Sequence, residues 1–158
     1  MGQQQLLLLV LGIVIVGLAV VVGIEAFSQN KLNSTVDMMV NDIVGMGSQA
    51  QAWSLKPQAF GGPVQGKGFE GVTLQTLGYA TQVVEGTPVH VTQVGSYGIT
   101  GAPTTECIAF RGYSNDAISG GTIDPDLAAV VSLVVTGAHP DSIRTETGTA
   151  ALTFDCND

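Results

Sequence analysis

The feature that most constrains this chain is the run Leu6 to Ile24, LLLLVLGIVIVGLAVVVGI, nineteen residues without a charge or a proline. As an α-helix rising ~1.5 Å per residue it extends roughly 28 Å, about the thickness of a bilayer hydrocarbon core. After Glu25 the pattern changes. Leu32, Val36, Met39, Ile43, Met46, Ala50 and Trp53 recur every three or four residues, and Val40 and Val44 widen the stripe. Asn33, Asp37, Asn41, Asp42, Ser48 and Gln51 fill the other positions, which makes the stretch an amphipathic helix. No proline occurs before Pro57, and only Gly45 and Gly47 weaken the second half. The simplest reading is one helix from about residue 3 to residue 54, roughly 78 Å long at ~1.5 Å per residue. A lone membrane anchor needs only the first half.

The start of the chain does not read as a cleaved secretory signal. MGQQQ has no basic residue, the apolar run is long, and the one candidate cut, after Ala26, has Ile24 at its −3 position. Gly12, Gly17 and Gly23 are spaced by five and six residues, so they form no GxxxG dimer face. Each costs up to ~1 kcal/mol relative to alanine inside a helix, which makes this the helix's softest part. Either they let neighbouring helices pack closely, or they let the segment bend when lipid gives way to protein.

Charge excludes one class of partner. The net charge is −8 overall. Beyond residue 54 there are ten acidic and four basic residues, leaving −6 there. Phosphate backbones demand clustered cations, so nucleic-acid binding is not expected. The two cysteines, Cys107 and Cys156, are either buried thiols or one disulfide formed outside the cytoplasm. A bridge closing that loop would stabilise by ~4 kcal/mol on chain-entropy grounds. It would also orient the helix, since the C-terminal side must then face out.

Leu55 to Gly68 is a loop punctuated by Pro57, Gly61-Gly62-Pro63, Gly66 and Gly68. From Phe69 the period shortens towards two, and strands are predicted near 70–76, 79–85, 88–94, 106–111, 129–136, 142–147 and 152–155. Asp124-Pro125-Asp126 leaves a helical start near Leu127 open, but the run Val-Val-Ser-Leu-Val-Val favours a strand. The expected fold is α+β. A long N-terminal helix over 1–54 packs its second half on an antiparallel β head over 69–158, with 55–68 as the linking loop.

No chemical motif stands out. Gly66-Lys67-Gly68-Phe69-Glu70-Gly71 matches G-x-G-x-x-G in letters, but it follows a helix and precedes strands, the reverse of a dinucleotide site. His90 and His139 have no second ligand at metal spacing. Asp124 with Asp126, and Asp155 with Asn157 and Asp158, lack the periodicity of an EF-hand loop and read as solvated turns. Asn33-Ser34-Thr35 fits a glycosylation acceptor but lies on the predicted helix. Phe27 is the one aromatic residue before Trp53, so no aromatic pathway runs along packed helices. No catalytic set, cofactor or metal is expected.

This order of parts resembles type IV pilins and the related pseudopilins: an apolar helix running into an amphipathic one, a glycine-rich loop, a β-rich head and a late cysteine pair. The resemblance implies a helix that anchors the subunit in the inner membrane before assembly and then forms the core of an extracellular helical filament. The heads would tile the surface. Leu6, Leu7, Leu8, Leu9, Val10, Leu11, Ile13, Val14, Ile15, Val16, Leu18, Val20, Val21, Val22 and Ile24 would pack that core, softened at Gly12, Gly17 and Gly23. Leu32, Val36, Met39, Ile43, Met46 and Trp53 would join helix to head. It also implies a leader removed by a prepilin peptidase, methylation of the new N-terminus, and a pilus assembly machinery as partner.

Two departures matter. The family's usual glutamate near the mature N-terminus is replaced, if Met1 is the first mature residue, by the neutral Gln5. A leader ahead of Met1 suits this better than cleavage after Gly2, which would put Leu7 there. The family's helix-breaking proline is also missing, and Gly17 and Gly23 take over its softening role. The leading expectation is therefore a homo-polymeric pilus subunit at the cell surface. The alternatives are a pseudopilin of a secretion system and a single-pass anchored, outward-facing β domain that binds a ligand.

Overall fold

The computed structural model describes residues 2–84, 86–115, 118–119, 122–123, 129–148 and 156. Met1, the strand expected at 152–155, the Asp124–Asp126 turn, Asp155, Asn157 and Asp158 lie outside the described residues. The chain divides into two compact units, Met1–Ser34 and Thr35–Asp158.

One helix, α1 (Gly2–Ser54), accounts for 53 residues. With no proline inside it, nothing interrupts its backbone ladder. It ends where Pro57 forbids continuation. The Lys56 amide turns back to the Trp53 carbonyl at 3.0 Å, and a 3-10 turn over Gln58–Phe60 closes on Gly61.

The strands are β1 (Gln82–Val84), β2 (Thr87–Val91), β3 (Gly95–Thr100), β4 (Cys107–Ser114), β5 (Ile118–Ser119), β6 (Thr122–Ile123), β7 (Val130–Thr136) and β8 (Ile143–Gly148). Six form one sheet in the order β1-β2-β3-β4-β7-β8, with β5 and β6 paired separately. Every pairing is antiparallel. The fold is the α+β arrangement expected from the sequence.

Alternation along β4 and β7 sets the core. Ile108 opposes Val135, Phe110 opposes Leu133 and Gly112 opposes Val131. These side chains meet Met39, Ile43, Met46, Ala50 and Trp53 of α1, together with Tyr97, Phe69, Val72 and Leu74. Each large aliphatic group buried this way contributes ~1.5–3 kcal/mol. The opposite face of the same strands is also buried: Ala109, Val130, Ser132 and Val134 have almost no exposure. There Cys156 packs on Cys107, Ala109 and Val134, and is disulfide-bonded to Cys107.

Two strand expectations need correction. The segment 70–76 is not a strand. Its backbone closes local turns instead, with Val72 bonded to Phe69, Gly78 to Gln75 and Tyr79 to Leu74. Thr73 and Thr76 supply the reason. Each hydroxyl accepts from the other residue's amide, at 3.2 and 2.9 Å, and hydroxyl groups that satisfy backbone locally compete with a ladder. Conversely, β3 (Gly95–Thr100) lies between the strands expected at 88–94 and 106–111, where none was expected. In place of side-chain bulk, β3 and β4 use fit: Tyr97 pairs with Gly112 across the sheet, and its ring occupies the space a Cβ there would need, 2.6 Å away.

The helix glycines differ in the same way. A Cβ on Gly47 would lie 2.9 Å from Leu133 Cδ2, whereas one on Gly45 would meet nothing within 4 Å. Gly45→Ala is therefore expected to stabilise the detergent-solubilised chain by up to ~1 kcal/mol through helix propensity. Gly112→Ala, which collides with a fully buried ring, should cost ~1–3 kcal/mol. Thermal unfolding measures both, and melting points shifted in the same direction would contradict the packing account.

Candidate functional site: the apolar helix and the clamp on the head

The first unit is helix alone, and its side chains have no core of their own. All fifteen Leu, Ile and Val residues between Leu6 and Ile24 are exposed, from 51% at Leu11 to 70% at Leu7. None of the most apolar window is buried, and by length and composition this helix can cross a membrane. Gly12, Gly17 and Gly23 lie within the continuous helix, with open space where each Cβ would be. Gln5 is exposed beside Gln3 and Gln4; Met1 is outside the described residues.

The second unit holds its stretch of α1 by a buried seam and by hydrogen bonds at both flanks. Met39, Ile43, Met46 and Trp53 are buried in the core, and Val36 packs against it half-buried. Leu32 does not join them. It is 53% exposed, because the buried stripe starts one turn later, at Val36.

Polar contacts from three side chains complete the clamp. The Gln51 amide donates to the carbonyls of His139 at 2.8 Å and Gly137 at 3.3 Å, and lies 3.3 Å from the Ser142 hydroxyl. The Trp53 indole donates to the Gly61 carbonyl at 3.0 Å. The Tyr97 phenol donates to Asp42 Oδ2 at 3.0 Å. Sequence reasoning placed Asp42 and Gln51 on the solvated face of the helix, but Gln51 is buried and Asp42 half-buried. A polar residue beside an apolar stripe is ambiguous until its hydrogen-bond partners, here from a distant loop and strand, are known.

Burial, and then the Asp42 carboxylate, push the Tyr97 phenol well above the ordinary tyrosine value. Burial, with Asp42 as the lesser cause, also raises Tyr79. Tyr79 stacks at a tilt on His90, ring centroids 4.9 Å apart, while His90 Nδ1 donates to the Ala80 carbonyl at 2.8 Å. His90 is thus half-buried mid-strand and held by its neighbours.

The glycine loop has a structural purpose. Gly68 has φ +49°, and a Cβ there would overlap the carbonyl of Thr105. Beside it, Glu70 accepts from Lys67 at 2.9 Å and from Thr105 at 2.9 Å. Those two donors hold its carboxyl below the usual range. The loop is thereby tied to the β3–β4 connection. Among the described residues no group of three or more His, Cys, Asp or Glu side chains is placed to hold a metal ion.

Comparison with protein families, curated proteins and solved structures returns no match for this chain. The architecture itself is pilin-like: a long apolar N-terminal helix whose amphipathic half packs on an antiparallel sheet, with a disulfide near the C-terminus. A span-length apolar helix and a disulfide are features of membrane-anchored and exported proteins.

Tyr97 also sets a pH dependence. Its proton is held more tightly in the folded chain than in the unfolded one, so its contribution is complete below the unfolded tyrosine value of ~10. As pH rises from there towards the folded value, the unfolded state loses a proton that the native state keeps, and stability falls by up to ~1.4 kcal/mol per pH unit. Tyr97→Phe should cost ~1 kcal/mol near neutrality through the lost hydrogen bond and flatten this alkaline decline. Denaturant titrations between pH 8 and pH 11 test it, and an unchanged slope in the variant would remove Tyr97 as the cause.

Proposed function

We propose that this chain is the structural subunit of an extracellular filament of the type IV pilus kind, polymerising through Leu6 to Ile24. The observation that carries this reading is that every Leu, Ile and Val of that helix surface is exposed in the single chain. Before assembly, lipid surrounds it, and the helix satisfies its own backbone there. During assembly the same side chains exchange lipid for copies of the helix, so packing rather than escape from water drives the step. Outside the membrane the filament is held because releasing a subunit would return these groups to water, at ~1.5–3 kcal/mol each. Contacts between copies are heterologous and do not close, which produces a fibre.

On this reading the protein is not an enzyme and needs no cofactor. A leader peptidase and an assembly machinery in the inner membrane act on the precursor, and the polymer stands at the cell surface. The head, closed by its own core and disulfide, is the part exposed to the surroundings.

Deleting Gly12–Gly17 should abolish fibres in the sheared surface fraction of the native host. The head should keep its disulfide and its melting point, because no residue before Val36 contributes to its core. Negative-stain microscopy and immunoblotting read the result. Normal fibres from the deletion, or none from the unaltered chain, would overturn the proposal. A chain that stays monomeric in detergent and never enters a fibre would be an anchored domain, and fibres confined to the periplasm would indicate a pseudopilin.

A further inference from the structure

Within the unit Met1–Ser34 the side chains carry two charges, Glu25 and Lys31, both exposed on the helix. Six residues separate them, which on an α-helix is about 9 Å along the axis and about 240° around it. Partners on one helix sit three or four residues apart, so these two do not face each other. They point instead to two different sides.

Resting on the filament reading, we infer that Glu25 of one copy pairs with Lys31 of a parallel neighbour and fixes the stagger between adjacent helices at six residues, about 9 Å. That offset also sets aliphatic against apolar. It brings Leu18 level with Ile24 and Val21 level with Phe27, and all four are exposed in the single chain. Offsets of one to five put Ala26, Phe27, Ser28, Gln29 or Asn30 opposite Glu25, and an offset of seven puts Leu32 there. Six alone presents a cation.

The placement on separate faces has a second consequence. Were both charges on one side, two copies could satisfy each other as a closed antiparallel pair. As placed, each copy offers its carboxylate to one neighbour and its ammonium to another, so the contact is heterologous and propagates. Lys31 has three donor hydrogens, so its other contacts do not prevent it from receiving a carboxylate. A desolvated ion pair adds little net stability, but each of the other staggers up to seven residues leaves the Glu25 carboxylate with no cation opposite it. The pair thus acts on register, as polar groups in coiled coils do.

The test exchanges the charges in the full chain in its native host. Glu25→Lys and Lys31→Glu should each lower the fibre content of the sheared fraction by about tenfold or more, and the double exchange should restore it to within about twofold. Immunoblots of the membrane fraction confirm equal subunit levels. A second measurement uses cysteine and a short bis-maleimide, to which the bridged Cys107 and Cys156 are inert. The double variant Glu25→Cys, Lys31→Cys should give a ladder of oligomers, and each single variant should stay monomeric, without even a cross-linked dimer. Single exchanges that assemble normally, a double exchange that does not recover, or a cross-linked dimer from either single cysteine would overturn the inference while leaving the filament reading intact. Absence of fibres from the unaltered chain would overturn both.

Discussion

The seam between Met39–Trp53 and the inner face of β4 and β7 is the contact on which the head depends. Without the helix, Ile108, Phe110, Val131, Leu133 and Val135 would present a broad apolar surface to water. Hydrophobic contact alone lets a cylinder roll or slide on a sheet. Two polar pins prevent that. Asp42 and Gln51 are nine residues apart, about 180° around the axis, so they bracket the buried stripe from opposite flanks. Asp42 is fixed by β3 through Tyr97, and Gln51 by the β7–β8 connection. Gly47 permits the close approach to Leu133 that these bonds require.

The sheet solves a second problem on its other face. Central strands usually alternate buried and solvated residues when a single layer covers them. Here β7 is buried on both sides, and its sequence, Val-Val-Ser-Leu-Val-Val, shows it as a nearly unbroken apolar run. The Cys107–Cys156 bridge holds Cys156 on that face, over Ala109 and Val134. β8 forms the outer edge instead and is mostly exposed, with Arg144 and Glu146 on it, a composition that discourages pairing with a foreign strand.

The parts of this architecture legible in the sequence are those set by long periodic signals. The 3.6-residue stripe after Glu25 and the absence of proline specify α1 almost to its ends. β7 announces itself by its β-branched run, β8 by the alternation of Ile143, Thr145 and Thr147 with charged residues, and β4 by Ile108 and Phe110. The pairing of Cys107 with Cys156 was one of two open readings until the structure joined them. What stayed hidden depends on partners remote in sequence. Thr73 and Thr76 look like strand residues until their hydroxyls are seen to take the backbone bonds. Gly95-Ser96-Tyr97-Gly98, with two glycines in four residues, gives no strand signal until Tyr97 is placed over Gly112. Gln51 looks solvated until the carbonyls of Gly137 and His139 appear beside it. In each case a local preference yields to a contact that only the folded topology supplies.

The glycines sharpen the difference between the two halves of α1. In the head, Gly47 gives up helix propensity and gains proximity to Leu133. In the apolar half, Gly12, Gly17 and Gly23 give up the same propensity, among many β-branched residues, with nothing nearby to compensate. A helix with that composition has little reason to persist in water. In lipid it has no alternative, since an open backbone amide there costs several kcal/mol. In the proposed filament, the missing side chains would become space for a neighbouring helix. The composition of the first 24 residues therefore gives up helix stability in water, and the passage from lipid to a filament core proposed above is a setting in which that loss is offset.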